Sequence, residues 1–170
     1  MKAYGVRNIG EFDILAQEYE HAKKWLEIVF DFLYDGIYIT DGQANTLRLN
    51  KGFERIMGVS YEDCVGRNMA ELVEQGVFSR SGTLLALEKK EQVTITLVSS
   101  AGKEALVTST PIIDEDGKVI MVVTNVRDIT ELNQLQRKLE HIEGLSNLYQ
   151  AELKQLKLQN SRQMVMSSGK

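Results

Sequence analysis

Residues 107–132, VTSTPIIDEDGKVIMVVTNVRDITEL, decide the fold class. Two stretches of alternating residues flank the acidic turn Asp114-Glu115-Asp116-Gly117. Alternation is the period of a half-buried strand, and Asp and Gly supply the turn. The second stretch, 118–128, runs through Arg127-Asp128-Ile129-Thr130 into residues with a helical period. A strand hairpin that feeds directly into a helix is therefore expected here.

The same pattern extends upstream. Residues 92–100, QVTITLVSS, alternate strictly, and Ala101-Gly102-Lys103 turns the chain into a strand at 104–113. Nearer the N-terminus, IYIT (37–40) and TLRLN (46–50) are β-branched or alternating and flank the turn signal Asp41-Gly42, which predicts a hairpin. Asn50 can cap the helix that follows, because its side-chain oxygen accepts from free backbone N–H groups. That helix, KGFERIMG, stops at Gly58, and short helical pieces are expected at 61–65, 69–75 and 80–90, punctuated by Gly66, Gly76 and Gly82. The order is two strands, several short helices, then three strands. Three long strands joined as hairpins favour an antiparallel sheet with the helices packed on one side.

Two helical stripes bracket this unit. Residues 11–35 carry Phe12, Leu15, Tyr19, Ala22, Leu26, Val29 and Leu33 at three-four spacing, and Asp35-Gly36 ends the pattern. Leu132, Leu135, Leu139, Ile142, Ser146, Tyr149, Leu153 and Leu156 repeat the spacing until Asn160 and Gln163 break it. Ser146 beside Gly144 is a weak point in an otherwise coiled-coil-like seam. Apolar stripes of this length expose too much area to remain solvated, so a homodimer through both flanking helices is expected.

Composition narrows the classes. The 170 residues allow one domain plus flanking helices, and 43% hydrophobic with 26% charged residues excludes disorder throughout. A net charge of -4 argues against direct nucleic-acid binding by this segment. The single Cys64 excludes an intrachain disulfide and any all-cysteine metal site, and no metal-ligand set is evident. The start, MKAYGVRNIGEF, lacks the apolar core of a signal peptide, and no apolar run approaches the roughly 20 residues of a bilayer span. A cytoplasmic protein with no membrane partner is expected. Residues 164–170, MVMSSGK, read as a frayed tail or the start of a following domain.

The stretches DGIYITDGQANTLRLN, KGFERIMGVSYEDCVGRNMAEL and TPIIDEDGKVIMVVTNVRDIT, in that order, resemble a PAS sensor domain over residues 27–130. The Asp128-Ile129-Thr130 exit and the G-x-S-x-E-D-x-x-G-R segment at Gly58–Arg67 carry the resemblance together. It implies an α+β fold: a five-stranded antiparallel sheet with short helices on one face, an N-terminal amphipathic helix (1–26) and a C-terminal coiled-coil signalling helix (131–163). With the C-terminal helix and the Ser-Gly-Lys ending, the chain also resembles the N-terminal sensor part of sigma-54-dependent transcriptional activators, where an AAA+ ATPase module follows.

Alternation puts Val93, Ile95, Leu97, Ala105, Val107, Ser109, Val122, Thr124 and Val126 on one face of the sheet. The resemblance places that face, joined by Tyr38, under the helices, where such domains hold a ligand. Tyr38, Ile95, Leu97, Val107, Ser109, Val122, Thr124 and Val126 are the pocket candidates. They describe a mostly apolar site with a few hydroxyl handles, or equally a filled core. The resemblance also makes Asp128, Ile129 and Thr130 the signal relay, with the Asp128 carboxylate able to cap the next helix.

The cofactor stays unnamed, but two are disfavoured. Haem-binding relatives usually offer an axial His from the helices before the third strand, whereas His21 and His141 lie outside 36–128. Met57, Met69 and Cys64 read as packing residues. Photoactive flavin-binding relatives carry a cysteine in an Asn-Cys-Arg-Phe-Leu-type motif, which Glu62-Asp63-Cys64-Val65-Gly66 does not match. His141 lacks the context of a kinase phosphoacceptor and reads as a helix-surface residue. No Walker-type motif or other catalytic set is present, so this segment is not expected to be an enzyme. The expected function is a sensory and dimerising module. It relays a small-ligand or partner signal to an effector in the same chain, the AAA+ module of a sigma-54-dependent regulator. The alternatives are the PAS module of a histidine kinase or cyclic-dinucleotide enzyme, and a ligand-free structural dimerisation domain.

Overall fold

A computed structural model describes residues 6–169, with side chains from residue 10 onward. The chain divides after Ile129 into two compact units.

The first unit begins with helix α1 (Val6–Phe32). Strands β1 (Gly36–Asp41) and β2 (Thr46–Leu49) form the first hairpin. Four short helices follow: α2 (Lys51–Met57), α3 (Tyr61–Cys64), α4 (Met69–Glu74) and α5 (Gly82–Lys89). Strands β3 (Val93–Val98), β4 (Glu104–Ile113) and β5 (Val119–Asp128) complete one antiparallel sheet in the order β2-β1-β5-β4-β3. This is the α+β, five-stranded antiparallel architecture that the residue pattern predicts.

The short helices start where the sequence supplies caps. Asn50, Ser60, Asn68 and Ser81 each accept a first-turn amide of α2, α3, α4 and α5. Gly58 ends α2 in the left-handed region at φ 73°, a conformation that strains other residues. Asn50 does more than cap. Its Oδ1 accepts from Phe53 N (2.9 Å) and from Ile37 N (2.7 Å), and its Nδ2 donates to the carbonyls of Phe30 (2.9 Å) and Asp35 (3.1 Å). One buried amide thus joins the end of α1, the start of β1 and the start of α2. It also accounts for a shift from expectation: α1 ends at Phe32 instead of reaching 35, because Asn50 and Arg55 take up the carbonyls of Phe30, Tyr34 and Asp35. Gly36 begins β1 because a Cβ there would lie 2.8 Å from the Phe53 Cα.

The core lies between sheet and helices. Tyr38, Phe53 and Phe78 form an aromatic centre, with Tyr38 stacked on Phe53 at 4.8 Å and Phe78 edge-on to both. Ile56, Leu72, Met69, Cys64, Val107 and Val126 fill the space around it. A smaller cluster of Ala86, Val119 and Val122 sits under α5. The opposite face of the sheet leaves Val98, Ile112 and Ile120 exposed. On α1, Phe12, Leu15, Tyr19, Leu26 and Val29 are all exposed, as is Leu33 just after the helix, and so are Trp25 and Phe32 beside that stripe.

The second unit is one helix, α6 (Thr130–Ser167). None of its residues is buried, and its seam residues from Leu132 to Leu156 face water. The helix passes through Gly144 and Ser146 without a break. It also continues past Gln163, where a frayed tail was expected from 164. Asn160 and Gln163 interrupt the apolar stripe, but neither breaks a helical backbone, and no Gly or Pro intervenes before Gly169. Among the described residues no helix is long and apolar enough to cross a membrane.

Candidate functional site

The alternation in β3, β4 and β5 becomes an alternation in burial. Ala105, Val107 and Ser109 on β4, and Val122, Thr124 and Val126 on β5, are buried, while Val93, Ile95 and Leu97 on β3 are half-buried. Sheet pairing aligns these residues in rows, with Val93 opposite Ser109, Ser109 opposite Thr124, and Thr124 opposite Tyr38. A row across four strands therefore carries hydroxyls at Ser109, Thr124 and Tyr38.

Beneath the helices a cavity of about 20 Å³ remains, the space of roughly one water molecule. Of the eight sequence candidates, Tyr38, Leu97, Val107, Thr124 and Val126 line it. Ile95, Ser109 and Val122 do not. Ser109 lies behind Thr124, and Val122 belongs to the separate cluster under α5. The rest of the lining comes from helices and loops: Phe53 and Met57 of α2, Met69 of α4, Phe78, and the stretch Arg80 to Thr83 that opens α5. Strand alternation could not have found these residues. Helices of four to eight residues make too few turns to define a face by periodicity. Asn50 and Ser81, as caps, were the available signals for where the helices begin.

Polar groups around the cavity are mostly spoken for. The Tyr38 hydroxyl is hydrogen-bonded to Thr46. Burial pushes the Tyr38 phenol well above its ordinary range, outweighing that hydrogen bond, so it stays neutral. Ser109 Oγ lies 2.8 Å from Thr124 Oγ1, which lies 3.1 Å from Thr83 Oγ1. Cys64 is buried, and burial, reinforced by Asp63, raises its thiol to about 11. It is a packing residue of low reactivity at neutral pH. Among the described residues no group of three His, Cys, Asp or Glu could hold a metal ion, and His21 and His141 are both exposed.

At the exit of the sheet, Lys103 Nζ lies 2.6 Å from the Asp128 carboxylate. The Ile129 amide donates to Glu104 O at 2.8 Å, which extends the β4–β5 ladder by one residue before Thr130 begins α6. Beside it, Arg127 binds Asp35 through Nε (3.2 Å) and Nη2 (3.0 Å), tying the segment after α1 to the last strand. The hydrogen bond to Asp35 raises the Arg127 guanidinium further above its ordinary range. The end of α1 and the end of β5 thus meet at one edge of the unit.

Comparison with known proteins agrees with this architecture. A model of the PAS domain matches residues 35–131, more than half of the chain. A PAS domain from Colwellia psychrerythraea is 25% identical, with 65% of this chain and 98% of that one aligned at a TM-score of 0.46. An RNA-binding light-oxygen-voltage receptor is 20% identical, with 75% of this chain covering 38% of that chain at a TM-score of 0.54. A sensory box sensor histidine kinase from Vibrio cholerae is 19% identical, with 68% and 98% covered and a TM-score of 0.45. No functionally curated protein matched. With the sheet order, the helices over one face and the matched residues together, the chain belongs to the PAS domain family.

Proposed function

We propose that this PAS sensory module works as a homodimer and passes a small-ligand or partner signal through Asp128, Ile129 and Thr130 into α6, and so to an effector in the same chain. The observation that carries the reading is the continuity of the last strand with a 38-residue helix whose whole apolar seam faces water. A seam of that length is stable only against a partner, and an identical seam is the nearest one. Ligand binding changes the output only if two arrangements of the paired helices bind it unequally.

The effector we propose is the AAA+ module of a sigma-54-dependent transcriptional regulator. The support is the resemblance of the Asp128-Ile129-Thr130 exit, the long C-terminal helix and the Ser-Gly-Lys ending to the sensor part of those activators. This segment itself is not an enzyme in this reading. Sequencing the coding region beyond Lys170 tests the effector: an ATPase with Walker motifs supports it, and a histidine-kinase or cyclic-dinucleotide module overturns it. Sedimentation between 1 and 100 µM tests the dimer: a monomer throughout overturns it.

One observation favours a second reading. A cavity of about 20 Å³ is far below the roughly 300 Å³ of an ordinary ligand pocket, as a ligand-free dimerisation domain would have. Native mass spectrometry separates the two: a co-purifying small molecule supports sensing.

A further inference from the structure

We infer that the free edge of β3 pairs antiparallel with β3 of a second copy of this chain, with Thr96 on the two-fold axis. This contact is separate from the α6 seam.

The two edges of the sheet are finished differently. β2 and β3 are the outer strands in the order β2-β1-β5-β4-β3. At β2 the chain covers its own edge. The Thr46 amide donates to Arg67 O and the Gly66 amide to Thr46 O, both at 2.9 Å, and Asn45 bridges Asn68. At β3, among the described residues, the one strand partner is β4. Lysines, proline and bulges are the usual devices that keep an edge from pairing. Residues 92–100, QVTITLVSS, carry no charge and no proline, and the β3–β4 register runs unbroken from Val93 to Val98.

The phase of the ladder says which backbone groups are free. The Ser99 amide donates to Lys103 O at 2.9 Å. Backbone groups alternate sides along a strand, so Val93, Ile95 and Leu97 turn theirs to β4, and Thr94, Thr96 and Val98 turn theirs off the sheet. The inward side chains are incompletely covered as well. Val93, Ile95 and Leu97 are half-buried, while Val107 and Val126 on the same face are 5% and 1% exposed. One more strand gives those amides and carbonyls partners and covers those side chains.

β3 itself fits that place. An antiparallel pair of identical strands is symmetric about its centre. Centring on Thr96 pairs the outward residues among themselves: Thr96 faces its own copy, and Thr94 faces Val98. These pairs exchange about six backbone bonds. The same register keeps the faces in phase, with Ile95 opposite Leu97 on the apolar side. On the other side Thr96 meets Thr96, a pairing of the kind Thr94 and Thr108 already make within the sheet, with their hydroxyl oxygens 3.1 Å apart. Charge favours a copy too. In a self-pair centred on Thr96 a charge near the axis meets its own sign, and 92–100 brings none. The strand is about 20 Å long, and such a contact buries less than the roughly 800 Å² per partner of a stable interface. It therefore forms at high concentration or between copies held together elsewhere.

The test is oxidative cross-linking of cysteine variants of the full chain at high protein concentration. The native Cys64 is buried and stays out of the reaction. Thr96→Cys should give a disulfide-linked dimer, because facing residues of a hydrogen-bonded pair have Cα atoms about 5.5 Å apart, within disulfide reach. Thr94→Cys, also at an exposed position, should cross-link with itself roughly tenfold less, because the two copies of residue 94 stand about 13 Å apart along the strand. A mixture of Thr94→Cys and Val98→Cys should cross-link as a heterodimer. All three side chains face solvent, and melting curves check that each variant is folded. Equal cross-linking of Thr94→Cys and Thr96→Cys, as random collision gives, overturns the pairing. Cross-linking of neither also overturns it and leaves the edge to a strand of a different protein. The α6 seam stands or falls separately, because none of these variants touches it.

Discussion

Val126, near the end of β5, is 1% exposed, while Leu135, on the first turns of α6, is 56% exposed. The two side chains are similarly apolar and lie a few residues apart, yet one is inside and the other in water. The sheet domain completes its own core, because helices α2 to α5 cover the face that alternation makes apolar. The helix has one apolar stripe and no second layer in its own unit to bury it. Stability of the first region is therefore intramolecular, and in the proposed dimer that of the second depends on concentration.

The largest expected effect lies on the domain side of this comparison. Leu72 is fully buried in the main core, so Leu72→Ala should destabilise the domain by about 2–5 kcal/mol in urea unfolding. A change below about 1 kcal/mol would mean that the core is looser than its burial indicates. On the helix side, Leu139→Asp places a charge in the seam. It should weaken self-association by roughly tenfold or more in sedimentation while leaving the unfolding of the sheet domain unchanged. Loss of domain stability in this variant would erase the distinction between the two regions.

At the join, Asp128→Ala removes the partner of Lys103, a partly buried pair, and should cost about 1 kcal/mol. A double-mutant cycle with Lys103→Ala isolates the pair, and a coupling near zero would assign any loss to another role of Asp128. The smallest effect is a pH dependence. Burial pushes the Glu54 carboxyl up, but hydrogen bonds from Lys51 and the Tyr61 amide outweigh it and hold the carboxyl below its ordinary range. A group depressed in the folded state adds stability above its unfolded pKa, and this is lost as pH falls through the folded value. Melting temperatures of wild type and Glu54→Gln should therefore converge below about pH 4 and separate toward neutrality.

Much of this protein is determined by local sequence alone. Alternation in 92–128 sets strands and their two faces, because side chains in a strand point alternately, but valines stand on both faces (Val98 and Val123 on one, Val107 and Val126 on the other), so alternation by itself does not say which face the helices cover. Asn50 marks the start of α2, because a short polar side chain satisfies amides that the helix cannot. The three-four spacing in 132–156 announces an apolar seam whatever the helix packs against. Tertiary structure decided the rest. Arg80, Gly82 and Thr83 come to the cavity only because α5 crosses the sheet at Ser109 and Thr124, with Gly82 permitting the close approach. The reach of Asn50 to Phe30 and Asp35, and the meeting of Asp35 with Arg127 across 92 residues of chain, follow from sheet order and helix placement. Neither leaves a periodic trace, because contacts between elements depend on how they pack, which no short window of residues records.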